Sequence, residues 1–135
     1  MESLGIESKV SLKPFFAVMV YPVVTMREPF VHQKSRKSLL GANPPENLLH
    51  KMSLEENVHS NMPPLLILQA KDDKIVDYQN SVMLSENLTK NEINHTFILY
   101  ETGGHGFGAL PKKRTDFSTW MDDFLRWYDE IMIND

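Results

Sequence analysis

The chain contains no cysteine, which excludes a disulfide framework, a thiolate zinc site and a cysteine nucleophile. It also lacks an excess of positive charge. Fourteen Lys and Arg stand against 18 Asp and Glu, a net charge of −4. A dedicated nucleic-acid binder is usually basic, so no nucleic-acid partner is expected. The run Lys112-Lys113-Arg114 sits in a polar stretch and reads as a solvated loop. Long hydrophobic runs are missing as well. Phe15 to Val24 is about half the roughly 20 residues that a spanning helix needs, so no membrane segment is expected. As a signal-peptide core it fails too: Pro22 interrupts it, glutamates precede it, and no small-residue cleavage site follows. The cytoplasm is therefore the default location. The sequons at Asn87 and Asn94 bear only on a secreted protein, and no repeat or low-complexity tract is visible.

What is there is ordinary globular material. The 135 residues are 41% apolar and 24% charged, enough for a single domain with its own core. Residues 1–14 are polar and without period, a leader or the stub of a helix. Three continuous apolar runs follow, at 15–21, 64–70 and 95–100. Each is short and rich in aliphatic, β-branched or aromatic residues, and none alternates. That pattern suits strands buried on both faces, as in parallel sheets. Between and after them the period changes. Residues 78–90 space Tyr78/Val82 and Leu84/Leu88 four apart behind Asp77, a candidate N-cap. In 116–132, Phe117, Trp120, Met121, Phe124, Leu125, Tyr128, Ile131 and Met132 form an apolar stripe, with Thr115 or Asp116 as cap. Asp122, Asp123, Arg126, Asp129 and Glu130 are assigned to the opposite side. A stripe of this kind is core packing rather than a cofactor box. Residues 26–62 read as an irregular, cap-like excursion with short helical pieces at Ser35–Leu40 and Ser53–Val58, the latter opened by a capping-box pattern, Ser53-Leu-Glu-Glu56. Strands alternating with helices make the fold class α/β: three parallel strands with flanking helices.

Open parallel sheets bind ligands beyond the carboxyl ends of their strands. The second strand is followed by Lys71-Asp72-Asp73-Lys74, and the third by Glu101-Thr-Gly-Gly-His105-Gly-Phe-Gly108. An aspartate and a glycine-flanked histidine thus reach the same sheet edge in the order in which α/β-hydrolases supply the last two members of their triad. A carboxylate that accepts the imidazole Nδ1–H fixes the tautomer and stabilises the imidazolium formed when Nε2 takes a proton. Taken singly, the aspartate is an ordinary turn residue or helix cap and the histidine an ordinary polar side chain. Their placement at two successive strand ends is what carries the reading.

Several further motifs occur in a fixed order: Tyr21-Pro-Val-Val-Thr-Met26, His32 with Ser35-Arg36, Leu39-Leu-Gly41, Pro63-Pro64, Asp72-Asp73-Lys-Ile-Val76, Asn80-Ser81 and Gly103-Gly-His-Gly-Phe-Gly108. Over roughly residues 14–130 this set resembles the C-terminal half of acetyl-esterase-type α/β-hydrolases. These are relatives of dienelactone hydrolases and prolyl-oligopeptidase-like esterases, among them acetylxylan esterases. The resemblance implies Asp73 rather than Asp72 as the triad acid and His105 as the base. It also implies a small acyl ester as substrate of the complete enzyme, with no metal or organic cofactor.

One departure from the family matters. No Gly-x-Ser-x-Gly nucleophile elbow and no earlier glycine-rich oxyanion loop occur in these 135 residues. By motif order the chain starts just after the helix that follows the elbow. The expectation is a partial α/β-hydrolase carrying acid and base, inactive alone, that associates with a second copy or with a separate N-terminal half. A non-catalytic subunit or interaction module is the alternative. Two other readings are poorer. Gly104-His-Gly106-Phe-Gly-Ala109 fits a dinucleotide-binding turn, but Pro111 falls where its helix should open. A metal site at His95, His105 and Asp73 has no His-x-x-x-His spacing behind it.

Overall fold

Leu65–Ala70 forms the middle strand, β2, and all of its residues are buried. The computed structural model describes residues 13–106 and 120–133. Within them β2 pairs in parallel with β1 (Ala17–Val20) on one side and with β3 (His95–Tyr100) on the other. This is the α/β arrangement that the continuous apolar runs imply. β3 matches its sequence run, β2 starts one residue later than its run, at Leu65, and β1 is shorter at both ends. Phe15 is 52% exposed, and Tyr21 turns to a φ of +44°, which ends the extended backbone. The register aligns Val20 with Leu68 and Ala70 with Tyr100, so the carboxyl ends of the three strands open on one edge.

The period of two along β2 divides the core. Leu65 and Ile67 pack with Leu84, Leu88, Ile93 and Val24 on one face. Leu66, Leu68 and Ala70 pack with Tyr100 and Trp127 on the other. The first face is covered by α3 (Gln79–Lys90), whose buried positions are Asn80, Ser81, Leu84 and Leu88. The N-cap of this helix is Tyr78, one residue after the expected Asp77, whose Oδ1 accepts the Gln79 N–H at 2.9 Å. The second face is covered by α4 (Trp120–Ile133).

The contact stripe of α4 is rotated from the one read in the sequence. Its buried residue is Trp127, whose indole meets the Phe16 ring edge-on at 5.6 Å, whereas Met121, Leu125 and Met132 are exposed. Asp123, assigned to the solvent side, instead faces the core edge and accepts the Tyr100 hydroxyl at 2.6 Å. Burial, with that carboxylate behind it, pushes the Tyr100 phenol far above its ordinary range. Trp120, Phe124 and Ile131 of the read stripe do pack on this face, together with Trp127, against Phe16 and the sheet. The expected cap at Thr115 or Asp116, Phe117 of the stripe, the leader up to residue 12 and the 112–114 basic run lie outside the described residues.

The excursion after β1 contains α1 (Gln33–Leu40), α2 (Glu46–Met52) and a 3₁₀ turn (Leu54–Asn57). The capping box expected at Ser53 does not form. Ser53 Oγ accepts the Met26 N–H at 3.0 Å instead, while the Glu56 carboxylate pairs with Arg27. Side chains recruited by a distant segment are no longer free to cap their own turn. Asn80 is the other anchor of this region. Its Oδ1 accepts the N–H groups of Val24 and Thr25 at 2.9 and 3.0 Å, and its Nδ2 donates to the carbonyls of Phe30 and Asp77. A fully buried amide satisfied on both ends fixes the path of the chain as it leaves β1. Among the described residues no helix is long and apolar enough to cross a membrane.

Candidate active site

The site grows from the aligned strand ends. Beyond β2 the ladder continues for one bond, Lys71 N–H to the Tyr100 carbonyl at 2.8 Å, and then two aspartates leave it in different directions. Asp72 Oδ1 accepts the backbone N–H groups of Gly103 and Gly104 at 2.9 and 2.8 Å. It therefore ties down the loop that follows β3. Gly104 and Gly106 sit at φ of +66° and +75°, and an added Cβ would meet nothing within 4 Å at either. Backbone conformation, rather than crowding, is what calls for glycine on both sides of the histidine.

Asp73 turns inward, and its side chain is fully shielded from solvent. Oδ1 accepts the Ile75 and Val76 N–H groups at 2.8 and 3.0 Å, which folds the turn leading to α3 around the carboxylate. Oδ2 faces His105 Nδ1 at 2.8 Å and also accepts Gln69 Nε2 at 2.9 Å. Burial alone would raise the affinity of this carboxyl for a proton. The donors of Ile75, His105 and Val76 outweigh it and hold the group below its ordinary value. Asp73 is thus an anion at neutral pH, facing the one imidazole nitrogen that must carry hydrogen to reach it.

His105 is presented by contrast at the surface of the edge, with its side chain 28% exposed. The ring of Tyr21 lies against it, centroids 4.5 Å apart and tilted by 53°. Tyr21 is a non-glycine residue in the left-handed region, the kind of local strain that recurs where a side chain must be aimed. With Nδ1 engaged by Asp73, no described residue bonds to Nε2, so the ring can take a proton there from a group brought to it. A pair with this geometry can act as an oriented general base with a buried counter-charge. His95, which the metal reading would need, lies at the opposite end of β3, bonded to Ser85 Oγ and the Ile93 carbonyl.

Residues 14–134 match the prolyl oligopeptidase family. The chain belongs to that family. It is 34% identical over 111 residues to endo-1,4-beta-xylanase B of Butyrivibrio fibrisolvens, covering 82% of this chain and 17% of that one. To the acetylxylan esterase of Xylanibacter ruminicola it is 27% identical over 129 residues, 93% of this chain and 24% of the other. Among solved structures it superposes on the acetyl ester-xyloside bifunctional hydrolase of Caldicellulosiruptor lactoaceticus with a TM-score of 0.82 at 30% identity, over 87% of this chain and 43% of that one. The chain therefore spans about a quarter or less of the curated relatives it matches and less than half of this structural relative.

Membership of the prolyl oligopeptidase family agrees with the acetyl-esterase-type resemblance carried by the ordered motifs, and the structure gives several of those motifs a physical task. Asn80 clips the 24–30 segment, Ser81 reaches Gln69, and Arg36 donates to the Met26 carbonyl at 3.3 Å. His32 Nδ1 and Ser35 Oγ bond at 2.8 Å, closing the first turn of α1. The sequence reading gives no role at the site to three residues that the structure brings there: Tyr21, Asp72 as loop anchor, and Gln69. Gln69 could have been noticed as the one polar residue inside an otherwise aliphatic strand.

Proposed function

We propose that this chain provides the acid, Asp73, and the base, His105, of a serine carboxylesterase acting on short acyl esters, acetyl esters of sugars among them. The observation that carries the reading is the 2.8 Å contact between a buried, anionic Asp73 Oδ2 and His105 Nδ1 at the carboxyl edge of a parallel sheet. In this reaction a serine hydroxyl gives its proton to Nε2 as its oxygen bonds to the ester carbonyl carbon. Asp73 stabilises the resulting imidazolium. The imidazolium then hands that proton to the departing alcohol oxygen, leaving the acyl group on the serine. Water repeats the sequence, releasing the carboxylic acid and restoring the serine. The printed names of the acetylxylan esterase and the acetyl ester-xyloside hydrolase support an acetylated sugar as the substrate class.

The 135 residues hold no Gly-x-Ser-x-Gly, so in this reading the serine comes from a further polypeptide segment. Alone, the chain turns over no ester. A base without its nucleophile can only assist water, worth roughly 10²–10⁴-fold, far below ordinary enzymatic acceleration. Turnover of p-nitrophenyl acetate by the pure chain, abolished by His105→Ala, would contradict this.

The same reading gives β1 a partner. Among the described residues it pairs only with β2, and Ala17–Val20 holds no lysine or proline to blunt its other edge. A second copy or a separate N-terminal half carrying the serine pairs there. Light scattering at micromolar concentration would show a dimer or a defined hetero-complex; a stable monomer that ignores an elbow-bearing half would remove this part of the reading.

A further inference from the structure

In β2 the positions that face α3 run Leu65, Ile67, Gln69. The first two are core aliphatics. The third is an amide with no exposure to solvent, placed where the alternation calls for another apolar side chain. Burying an amide is costly unless both of its ends are satisfied, and here they are. Gln69 Nε2 donates to Asp73 Oδ2 at 2.9 Å, with the carbonyls of Ala70 and Val76 each 3.4 Å away. Gln69 Oε1 accepts the Ser81 hydroxyl at 3.3 Å, and Ser81 is itself fully buried on α3. Three acceptors around the nitrogen and one donor on the oxygen leave a single sensible orientation. Turning the amide over would set Oε1 against a carboxylate oxygen and two carbonyls.

The oxygen of Asp73 that receives Gln69 is the same Oδ2 that faces His105 Nδ1. Oδ1 is already held by two backbone N–H groups. The carboxylate plane is thus pinned from both ends, and its remaining lone pair points at the imidazole. We propose that Gln69 is a positioning residue for the acid–base pair, aiming Asp73 Oδ2 at His105, and that Ser81 acts behind it by fixing which end of the Gln69 amide meets Asp73. This rests on reading Asp73 and His105 as acid and base. A β2 residue and an α3 residue, neither within reach of substrate, then determine how firmly the imidazole tautomer is set.

The test is proton and carbon NMR of the full chain at rest, comparing wild type with Gln69→Met, Ser81→Ala and Ser81→Thr. Methionine keeps the length and burial of Gln69 without the amide. In Gln69→Met the His105 Nδ1–H resonance moves and exchanges faster with water. The Asp73 carboxyl titrates about half to one pH unit higher, the equivalent of one ordinary hydrogen bond. Ser81→Ala moves both signals in the same direction by less, and Ser81→Thr, which keeps the hydroxyl, returns them toward wild type. A merely structural Gln69 would lower the melting temperature in the variants and leave both signals in place. A folded Gln69→Met with unchanged signals overturns the inference. If Gln69→Met does not fold, the Ser81 pair decides: signals unmoved by alanine, or moved equally by alanine and threonine, overturn it. These signals need no substrate, so failure of the esterase reading leaves them intact, and failure here leaves the esterase reading intact.

Discussion

Asp72 Oδ1 receives the N–H of Gly104 at 2.8 Å, one residue before the histidine that Asp73 engages. Two consecutive aspartates thus act on two consecutive residues of the facing loop, one on its backbone and one on its imidazole. The geometry explains why a pair of carboxylates occupies this turn and why the two are not interchangeable. Asp73 sits in a nest of donors formed by its own turn. Asp72 reaches across to β3's loop, where its Oδ1 holds two backbone N–H groups.

Asp72→Ala removes the acceptor of two partly buried N–H groups and is expected to cost about 1–3 kcal/mol. It should also loosen the His105 loop. Urea denaturation measures the first effect, and amide hydrogen exchange at Gly103 and Gly104 measures the second. Exchange at these amides no faster than in wild type would show that Asp72 does not hold the loop.

Stability should fall in acid partly through Asp73. Its folded value lies below the ordinary 3.8 despite burial, because the Ile75, His105 and Val76 donors favour the anion. A depressed carboxyl adds stability that is complete above its unfolded value and is lost as pH falls through its folded value. The loss therefore begins near pH 4 and continues below it. Glu56, lowered by its bonds to Arg27, contributes a decline of the same sign from the surface. Asp73→Asn lowers stability at neutral pH and flattens the acid limb, measured by urea midpoints between about pH 6 and pH 3. An acid limb as steep as that of wild type would assign the decline elsewhere.

The rotated stripe of α4 separates two substitutions. Trp127, 4% exposed, should cost about 3–5 kcal/mol when replaced by alanine. Leu125, 51% exposed, should cost no more than about 0.5 kcal/mol. Equal costs in thermal or urea unfolding would restore the stripe read from the sequence.

Asn80→Leu leaves the Val24 and Thr25 amides and the Phe30 carbonyl without their partner. Each buried orphan costs about 1–3 kcal/mol, so the substitution should rank among the most damaging in the chain. Differential scanning calorimetry is the check. A melting temperature within a few degrees of wild type would mean that the 24–30 segment finds other donors and acceptors.

The three strands, their parallel sense and the edge on which Asp73 and His105 meet were legible because continuous apolar runs need cover on both faces and strand ends are where such sheets expose chemistry. The excursion at 26–62 was legible only in outline. Its helices carry no buried residue to set a period, and its path is fixed by Asn80, Ser53 and Arg27, whose partners lie far off in sequence. The same cause hid the α4 stripe. Trp127 and Asp123 are chosen by Phe16 and Tyr100, which helical spacing alone does not reveal. Asp73 was separable from Asp72 by the resemblance to a family pattern, not by composition or period.

The central claim, that this chain carries a working acid and base for ester hydrolysis, is tested most directly by transplanting it. In the Caldicellulosiruptor lactoaceticus hydrolase the superposing region, 43% of that chain, is replaced by residues 14–134 of this one, leaving the remainder of that enzyme in place. The account predicts a folded chimera that hydrolyses p-nitrophenyl acetate and loses at least about 10²-fold in kcat on His105→Ala, with a further deficit in Asp73→Ala. A folded chimera without activity, or one whose activity survives His105→Ala, would contradict it.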